Sequence, residues 1–461
     1  MLVNRAYRFR LYPMAAQAAE LAEWSRQLRF LYNLAHEQRL LALARPRGEQ
    51  PRVDYYKQSP EMTELCKGGQ DQLARVVCCA RQEVLRDLDK AWQRWRKGLG
   101  GKPHFKRRTD SVRIYFSTQK HWSIEGEGKK ARLSFAGAAS SVGAITMRMD
   151  RAFPKDAKFS SCHITRDVDQ WYAVFPLAFE VEATASPRSA VGINRGAVHA
   201  IADSDGRVVQ SPKHYAKAME RIAKLSRDLA RKEPGSRNRY KAAEKLAQAH
   251  RKVRRQREWF LHDQSAYYVA RYRLIAIEDY ATREMTAKKP KPKSTLPKYV
   301  KRAINRSILD VGWYEFARQM KYKVQTTGGE VREVPVFGED ADAIGISSVC
   351  SACGAALKAP ASGHRRMKCE DCGHRELGDG NAARNVLIRA ENMTPPGPKT
   401  PKASIKIKGR QKRSETAAKP AGEASGRDLS VGGPDEGGTQ ACTVSTSELP
   451  TETHPAMRDG L

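Results

Sequence analysis

Apolar and polar positions alternate from residue 6 to residue 12, with Tyr7, Phe9 and Leu11 on one side and Arg8, Arg10 and Tyr12 on the other, until Pro13 stops the run. A period of two predicts a half-buried strand with a basic outer face. The period then becomes helical: Leu21, Trp24, Leu28, Leu31 and Leu34 recur between Ala15 and Leu43, and Leu73, Val77, Val84, Leu88 and Trp92 between Gln70 and Trp95. Both stretches predict helices packed on one another. After Gly98 to Gly101 the chain returns to short runs at Val112 to Ser117, Ala131 to Phe135, Ala144 to Met149 and Trp171 to Glu182. A β-rich module interrupted by a helical insertion accounts for this order.

The second half reads as an α/β unit. The apolar residues before Asn194 and the stretch from Ala197 to Gly206 predict two strands turned at Asp203 to Gly206. A helical hairpin follows, Lys213 to Arg231 and Asn238 to Arg271, broken at Pro234-Gly235. Leu274 to Ile277 is a short apolar strand that delivers Glu278 and Asp279. A lysine-rich loop, a helix at Ala303 to Lys321 and a strand at Gly329 to Pro335 complete the unit. Beyond Glu391 the composition turns to Pro, Gly, Ser, Thr and charge, which predicts a disordered tail over residues 393–461.

Charge then narrows the function. The 461 residues hold 83 lysines and arginines against 51 acids, a net charge of +32 spread along the whole chain, which calls for a polyanionic partner. The hairpin's second arm carries HRKVRRQR at 250 to 257, with cations around most of the helix, and KPHFKRR at 102 to 108 sets an aromatic among cations. Arg8, Arg10, Arg251, Arg254 and Arg255 are the candidate nucleic-acid contacts. The first residues lack the apolar core of a signal peptide, and no apolar run approaches the roughly 18 residues of a membrane span. The expectation is a cytoplasmic, nucleoid-associated protein with no membrane partner.

Four of the nine cysteines carry metal chemistry. Cys350 and Cys353, then Cys369 and Cys372, form two CxxC knuckles fifteen residues apart, each followed by a glycine. Four thiolates close one tetrahedral zinc and leave no open position, so this zinc is structural. His364 and His374 are surface residues on this reading, and Cys66, Cys78, Cys79, Cys162 and Cys442 show no pairing logic. Phosphodiester hydrolysis by two magnesium ions needs carboxylates converging from several strands. Glu278, at a strand end, and Asp379, just before a helix, suit that role; taken alone, each reads first as a cap or turn residue.

Together these segments resemble the transposon-encoded TnpB proteins and their descendants, the small type V CRISPR effectors. GINRG at 192 to 196, IAIED at 275 to 279, the ribbon, and DGNAARN at 379 to 385 stand in that family's order, with AYRFRLYP near the start and SILDVGWYEF at 307 to 316. The resemblance covers residues 4 to 391 and implies a multidomain α+β chain. Its parts are a β-barrel wedge domain (1–15 and 101–185), a helical recognition lobe (16–100), and a RuvC (RNase H-like) α/β domain (186–345 and 377–392) with an embedded zinc ribbon (346–376). It also implies a guide RNA, a double-stranded DNA target, magnesium at the RuvC site, and a monomer.

One position departs from the family. The first catalytic aspartate aligns with Asn194, which has nearly the same shape but no charge, so the catalytic set reads Asn194 (degenerate), Glu278 and Asp379. The expectation is guided DNA binding with cleavage absent or reduced by orders of magnitude. Two alternatives stand beside it: an active guided endonuclease that tolerates Asn194, and a transposon accessory zinc-ribbon DNA binder without a guide.

Overall fold

The basic strand predicted at the N-terminus is β1 (Leu2–Tyr12), with Phe9 and Leu11 buried and Arg8 exposed. The computed structural model describes residues 2–46, 48–110, 112–182, 188–280, 282–286, 297–336, 345–357 and 366–393. The predicted tail beyond residue 393, the lysines at 288–293, His364 and Cys442 lie outside the described residues. Strand β1 leads into four helices: α1 (Ala15–Ala44), α2 (Tyr55–Lys67), α3 (Asp71–Ala74) and α4 (Cys78–Arg96). The sequence predicted one helix over Gln70 to Trp95; it is two, separated by the buried Val76 and Val77. Helix α2 escaped notice because it contains Pro60 and buries only Gln58 and Met62.

Seven further strands join β1: β2 (Ile114–Phe116), β3 (Trp122–Glu125), β4 (Arg132–Phe135), β5 (Ile145–Arg148), β6 (Lys158–Phe159), β7 (Cys162–Asp167) and β8 (Gln170–Glu180). They form an antiparallel sheet in the order β2-β7-β8-β1-β5-β4-β3, with β6 on β8, and this sheet nearly closes as a barrel. Phe9, Phe116, Leu133, Ile145 and Phe175 from its strands share one core with Trp24, Leu28 and Leu31 of α1 and Leu88 and Trp92 of α4. The helical insertion is therefore welded to the barrel by apolar burial.

A second sheet contains β9 (Arg188–Asn194), β10 (His199–Asp203), β11 (Val208–Gln210), β12 (Tyr272–Asp279) and β13 (Glu330–Pro335). Its order is β11-β10-β9-β12-β13; the first three strands run antiparallel, and β12 lies parallel to both β9 and β13. This is the RNase H-like arrangement. The helical hairpin α5 (His214–Ala230) and α6 (Arg237–Val269) sits between β11 and β12, and α7 (Thr282–Met285), α8 (Lys298–Val311) and α9 (Trp313–Lys323) precede β13. The helix predicted over Ala303 to Lys321 breaks at Gly312, whose φ of +79° is left-handed.

Helices cover both faces of this sheet. Ile193, Ile275 and Ile277 pack with Leu261 of α6 and Phe316 and Met320 of α9. On the other face, Ala276 and Val334 meet Ala382, Val386 and Ala390 of α10 (Gly378–Asn392). Helix α10 rides directly on β9: a Cβ at Gly192 would lie 2.0 Å from the Ala383 carbonyl oxygen and 2.8 Å from Leu387 Cβ. That close approach brings the start of α10 over the end of β9. A small antiparallel pair, β14 (Arg366–Lys368) and β15 (Arg375–Leu377), precedes α10. No described helix is long and apolar enough to cross a membrane.

Candidate metal centre and carboxylate site

The two CxxC segments fold into matching knuckles. Cys350 N–H donates to Ala355 O (2.9 Å) and Gly354 N–H back to Cys350 O (2.9 Å); Cys369 N–H donates to His374 O (2.8 Å) and Gly373 N–H to Cys369 O (3.1 Å). Both turns need left-handed backbone, supplied by Gly354 (φ +76°) and Gly373 (φ +73°). The four sulfurs lie within 4.8 Å of one another, with Cys350 to Cys372 at 3.7 Å and Cys353 to Cys369 at 3.6 Å. Zinc–sulfur bonds of about 2.3 Å in a tetrahedron place sulfurs roughly 3.8 Å apart, so the donor set fits zinc. The N–H groups of Cys372 and Asp371 pull the Cys369 thiol down to about 7, whereas the thiols of Cys353 and Cys372, packed against the other sulfurs, are raised. His374 instead faces Glu376 at 3.3 Å.

The ribbon also orients α10. Asn381 accepts from Ser351 N–H (2.7 Å) and donates to Val349 O (2.7 Å), while Asn385 donates to Ile346 O and Val349 O, both at 2.9 Å. These asparagines are one helical turn apart and buried, so the first knuckle is bonded to the helix that carries Asp379.

The ends of β9 and β12 and the start of α10 carry Asn194, Glu278 and Asp379. Parallel register sets Ile193 beside Ile277, so Asn194 and Glu278 leave adjacent strand ends on the α10 face. Asn194 Nδ2 donates to Asp379 Oδ1 (3.3 Å), and His199 Nδ1, from β10, lies 2.6 Å from Asp379 Oδ2. Glu278, 2% exposed, accepts from Arg195 N–H at Oε1 (3.1 Å) and from Arg195 Nε at Oε2 (3.3 Å). The Arg195 guanidinium also bonds the carbonyl oxygens of Glu278 and Trp313, and lies over the Tyr280 ring, which stacks on Trp313. Burial pushes the Glu278 carboxyl up, while Arg195 pulls it back toward the ionised form.

A magnesium pair needs several open anionic oxygens. Here one ligand position is an amide that donates to Asp379, the other Asp379 oxygen faces His199, and both Glu278 oxygens are bound by Arg195. As arranged, these residues do not fit magnesium. Asp203 accepts from Tyr268 Oη (2.9 Å) and from the N–H groups of Asp205 and Arg207; Asp205 accepts from Arg188 (2.7 Å) and Tyr272 (2.8 Å). Both are bound away from Asn194, and Asp279 is exposed on the other side of β12.

Four of the five candidate arginines gather at one place, the β7–β8 turn: Arg8, Arg254 and Arg255 surround Asp167, and Arg251 bonds Asp169 and the Asp167 carbonyl, whereas the Arg10 guanidinium lies over the Tyr12 ring. Sequence reading missed Arg195, His199, Asn381 and Asn385. The spacing of the two asparagines at i and i+4 was the signal available for that pair.

Residues 167–289 match the OrfB_IS605 family, described as a probable transposase, and residues 313–386 match the Cas12f1-like TNB domain. Residues 1–45 match a helix-turn-helix domain of the same OrfB_IS605 type, although here they form strand β1 and the single helix α1. A putative RNA-guided DNA endonuclease of Streptomyces pristinaespiralis is 30% identical over 387 residues, covering 84% of this chain and 89% of the relative. The putative RNA-guided DNA endonuclease InsQ of Escherichia coli K12 is 26% identical, covering 83% and 91%. A Cas12f1 chain, solved by cryo-electron microscopy with sgRNA and target DNA, matches 84% of this chain and 98% of its own length at a TM-score of 0.46 and 12% identity. The chain belongs to the OrfB_IS605 (TnpB) transposase family.

Proposed function

We propose that this protein is an RNA-guided DNA-binding protein whose RuvC centre is silent or strongly impaired, and that it acts by occupying a guided target, as a repressor or an interference effector without cleavage. One observation carries the reading: Asn194, at the end of the strand beside that of Glu278, takes the place where the family has a carboxylate, and its amide donates to Asp379. Magnesium would supply Lewis-acid activation of the phosphodiester and stabilise the leaving oxygen. With one anionic ligand replaced and the remaining oxygens bound internally, that stabilisation is weakened by several kcal/mol or lost.

Guide RNA and double-stranded DNA follow as partners from the relatives' description and from the net charge of +32. The zinc ribbon is structural. It holds α10, and through α10 Asp379, in register with β9. Such a chain works as a monomer in the cytoplasm, at the nucleoid.

The competing reading is an active endonuclease, favoured by the retained Glu278 and Asp379 and by the relatives' name. The two readings part on one test: the ribonucleoprotein purified from cells carrying its native flanking DNA is incubated with matching DNA and magnesium. The silent-centre reading predicts binding without strand scission. Copurification of one defined RNA species removes the third possibility, a zinc-ribbon DNA binder without a guide.

A further inference from the structure

The turn between β7 and β8 is built around a residue that should not be there. Val168, between Asp167 and Asp169, has φ +62°, a left-handed backbone that a β-branched residue adopts only under constraint. Its two neighbours are the anchors of the arginine cluster. Arg254 Nη2 donates to both Asp167 oxygens (2.7 and 2.6 Å), Arg8 reaches Oδ2 at 3.4 Å, and Arg255 stands 3.9 Å away. Arg251, its side chain 9% exposed, bonds Asp169 and the Asp167 carbonyl. Two guanidiniums approach the Tyr172 ring, Arg8 at 3.8 Å and Arg255 at 5.4 Å from its centre.

An ion-pair latch between the barrel and helix α6 needs only balanced charge, and this cluster is not balanced. Four guanidiniums meet three carboxylates: Asp167, Asp169 and, 3.8 Å from Arg254, Glu258. Arg255 Nη2, 3.9 Å from Asp167, is a buried donor that the carboxylates of the cluster leave without a hydrogen-bond acceptor. Arg8, Arg254 and Arg255 keep 42, 47 and 37% of their side-chain surface open. Planar, exposed guanidiniums fixed by aromatic stacking and by one carboxylate are preorganised for phosphate oxygens.

We infer that the Asp167–Asp169 turn is an anion seat that takes the phosphodiester backbone of the guide RNA, with Asp167 occupying it until the RNA arrives. This inference rests on the guided-binding reading. The seat is also the join between β1, the β7–β8 turn and α6. A ligand bound there stays as long as these elements are docked, which suits a constitutive RNA more than a DNA target that must come and go.

The test uses the full chain, freed of nucleic acid at high salt, with two labelled probes: the RNA species recovered with the chain, and a DNA duplex of unrelated sequence. Dissociation constants are measured from about 50 to 400 mM salt for the wild type and for Arg254→Gln, Arg255→Gln and Asp167→Asn, with thermal unfolding of each as the folding control. A seat for RNA predicts that each arginine variant weakens RNA binding and flattens the log–log salt slope by about 0.7 to 0.9 per lost phosphate contact. Asp167→Asn, which removes the competing anion, tightens RNA binding. Unchanged slopes in the arginine variants, or an Asp167→Asn variant that loses RNA affinity in step with its melting temperature, would make the cluster a structural latch and overturn the seat. Slopes that fall for duplex DNA alone would overturn the RNA assignment. A wild-type chain that binds no RNA would remove the guided reading itself, whereas tight RNA binding with unaltered slopes would remove only the seat.

Discussion

Asn194 Nδ2 donates to Asp379 Oδ1 across 3.3 Å, so the position that should oppose a metal-bound carboxylate with like charge instead supplies it with a proton donor. This contact stabilises the centre without a cation. Restoring the acid reverses its sign. In a chelator, Asn194→Asp places two carboxylates face to face and costs about 1 to 3 kcal/mol. Millimolar magnesium or manganese should recover that loss in the variant and leave the wild-type melting temperature unmoved. Equal metal responses in both proteins would show that Asn194 is no barrier to the ion.

Glu278 has a structural role as well as its family position. Glu278→Gln keeps the shape but leaves the buried Arg195 guanidinium without a counter-charge, so the variant should be less stable by about 3 kcal/mol. Chemical denaturation measures the loss. Guided binding well below the unfolding transition should stay at wild-type affinity, because on this account Glu278 performs no chemistry in the native chain.

Gly192 sets the distance between β9 and α10. Adding one methyl group places a carbon 2.0 Å from Ala383 O, which forces the helix away from the strand. Gly192→Ala should therefore cost about 1 to 3 kcal/mol or more in denaturant unfolding. It should also weaken Asn194–Asp379 contact, so combining it with Asn194→Asp should blunt the metal response predicted above.

One zinc per chain is expected by elemental analysis, and Cys353→Ser or Cys372→Ser should lose it. Because Asn381 and Asn385 bind the first knuckle, chelation should increase hydrogen exchange in α10 as well as in the ribbon. A ribbon that melts while α10 stays protected would contradict the coupling.

Much of this architecture is legible in the sequence. Alternation marks β1, two CxxC pairs mark the four-sulfur cluster, and the motif segments mark the strand ends and the helix that carry Asn194, Glu278 and Asp379. What stayed hidden was set by tertiary contact. The Gly312 break lies inside an unbroken apolar period, and α2 contributes too few buried residues to show one. The arginines of β1 and α6 read as two separate basic faces, since nothing in their spacing shows that the β7–β8 turn brings an aspartate to both. Arg195 looks like one more cation in a basic chain, and only the parallel pairing of β9 with β12, with the start of α9 close by, reveals it as the partner of Glu278.

The most direct test of the account is a cleavage assay on the purified ribonucleoprotein, wild type beside Asn194→Asp, with magnesium and a duplex matching its own bound RNA. The account predicts that both bind, that the wild type leaves the DNA intact over hours, and that Asn194→Asp cuts it orders of magnitude faster. Robust cutting by the wild type, with Asn194→Asp little different, would contradict it and return the protein to the active endonucleases.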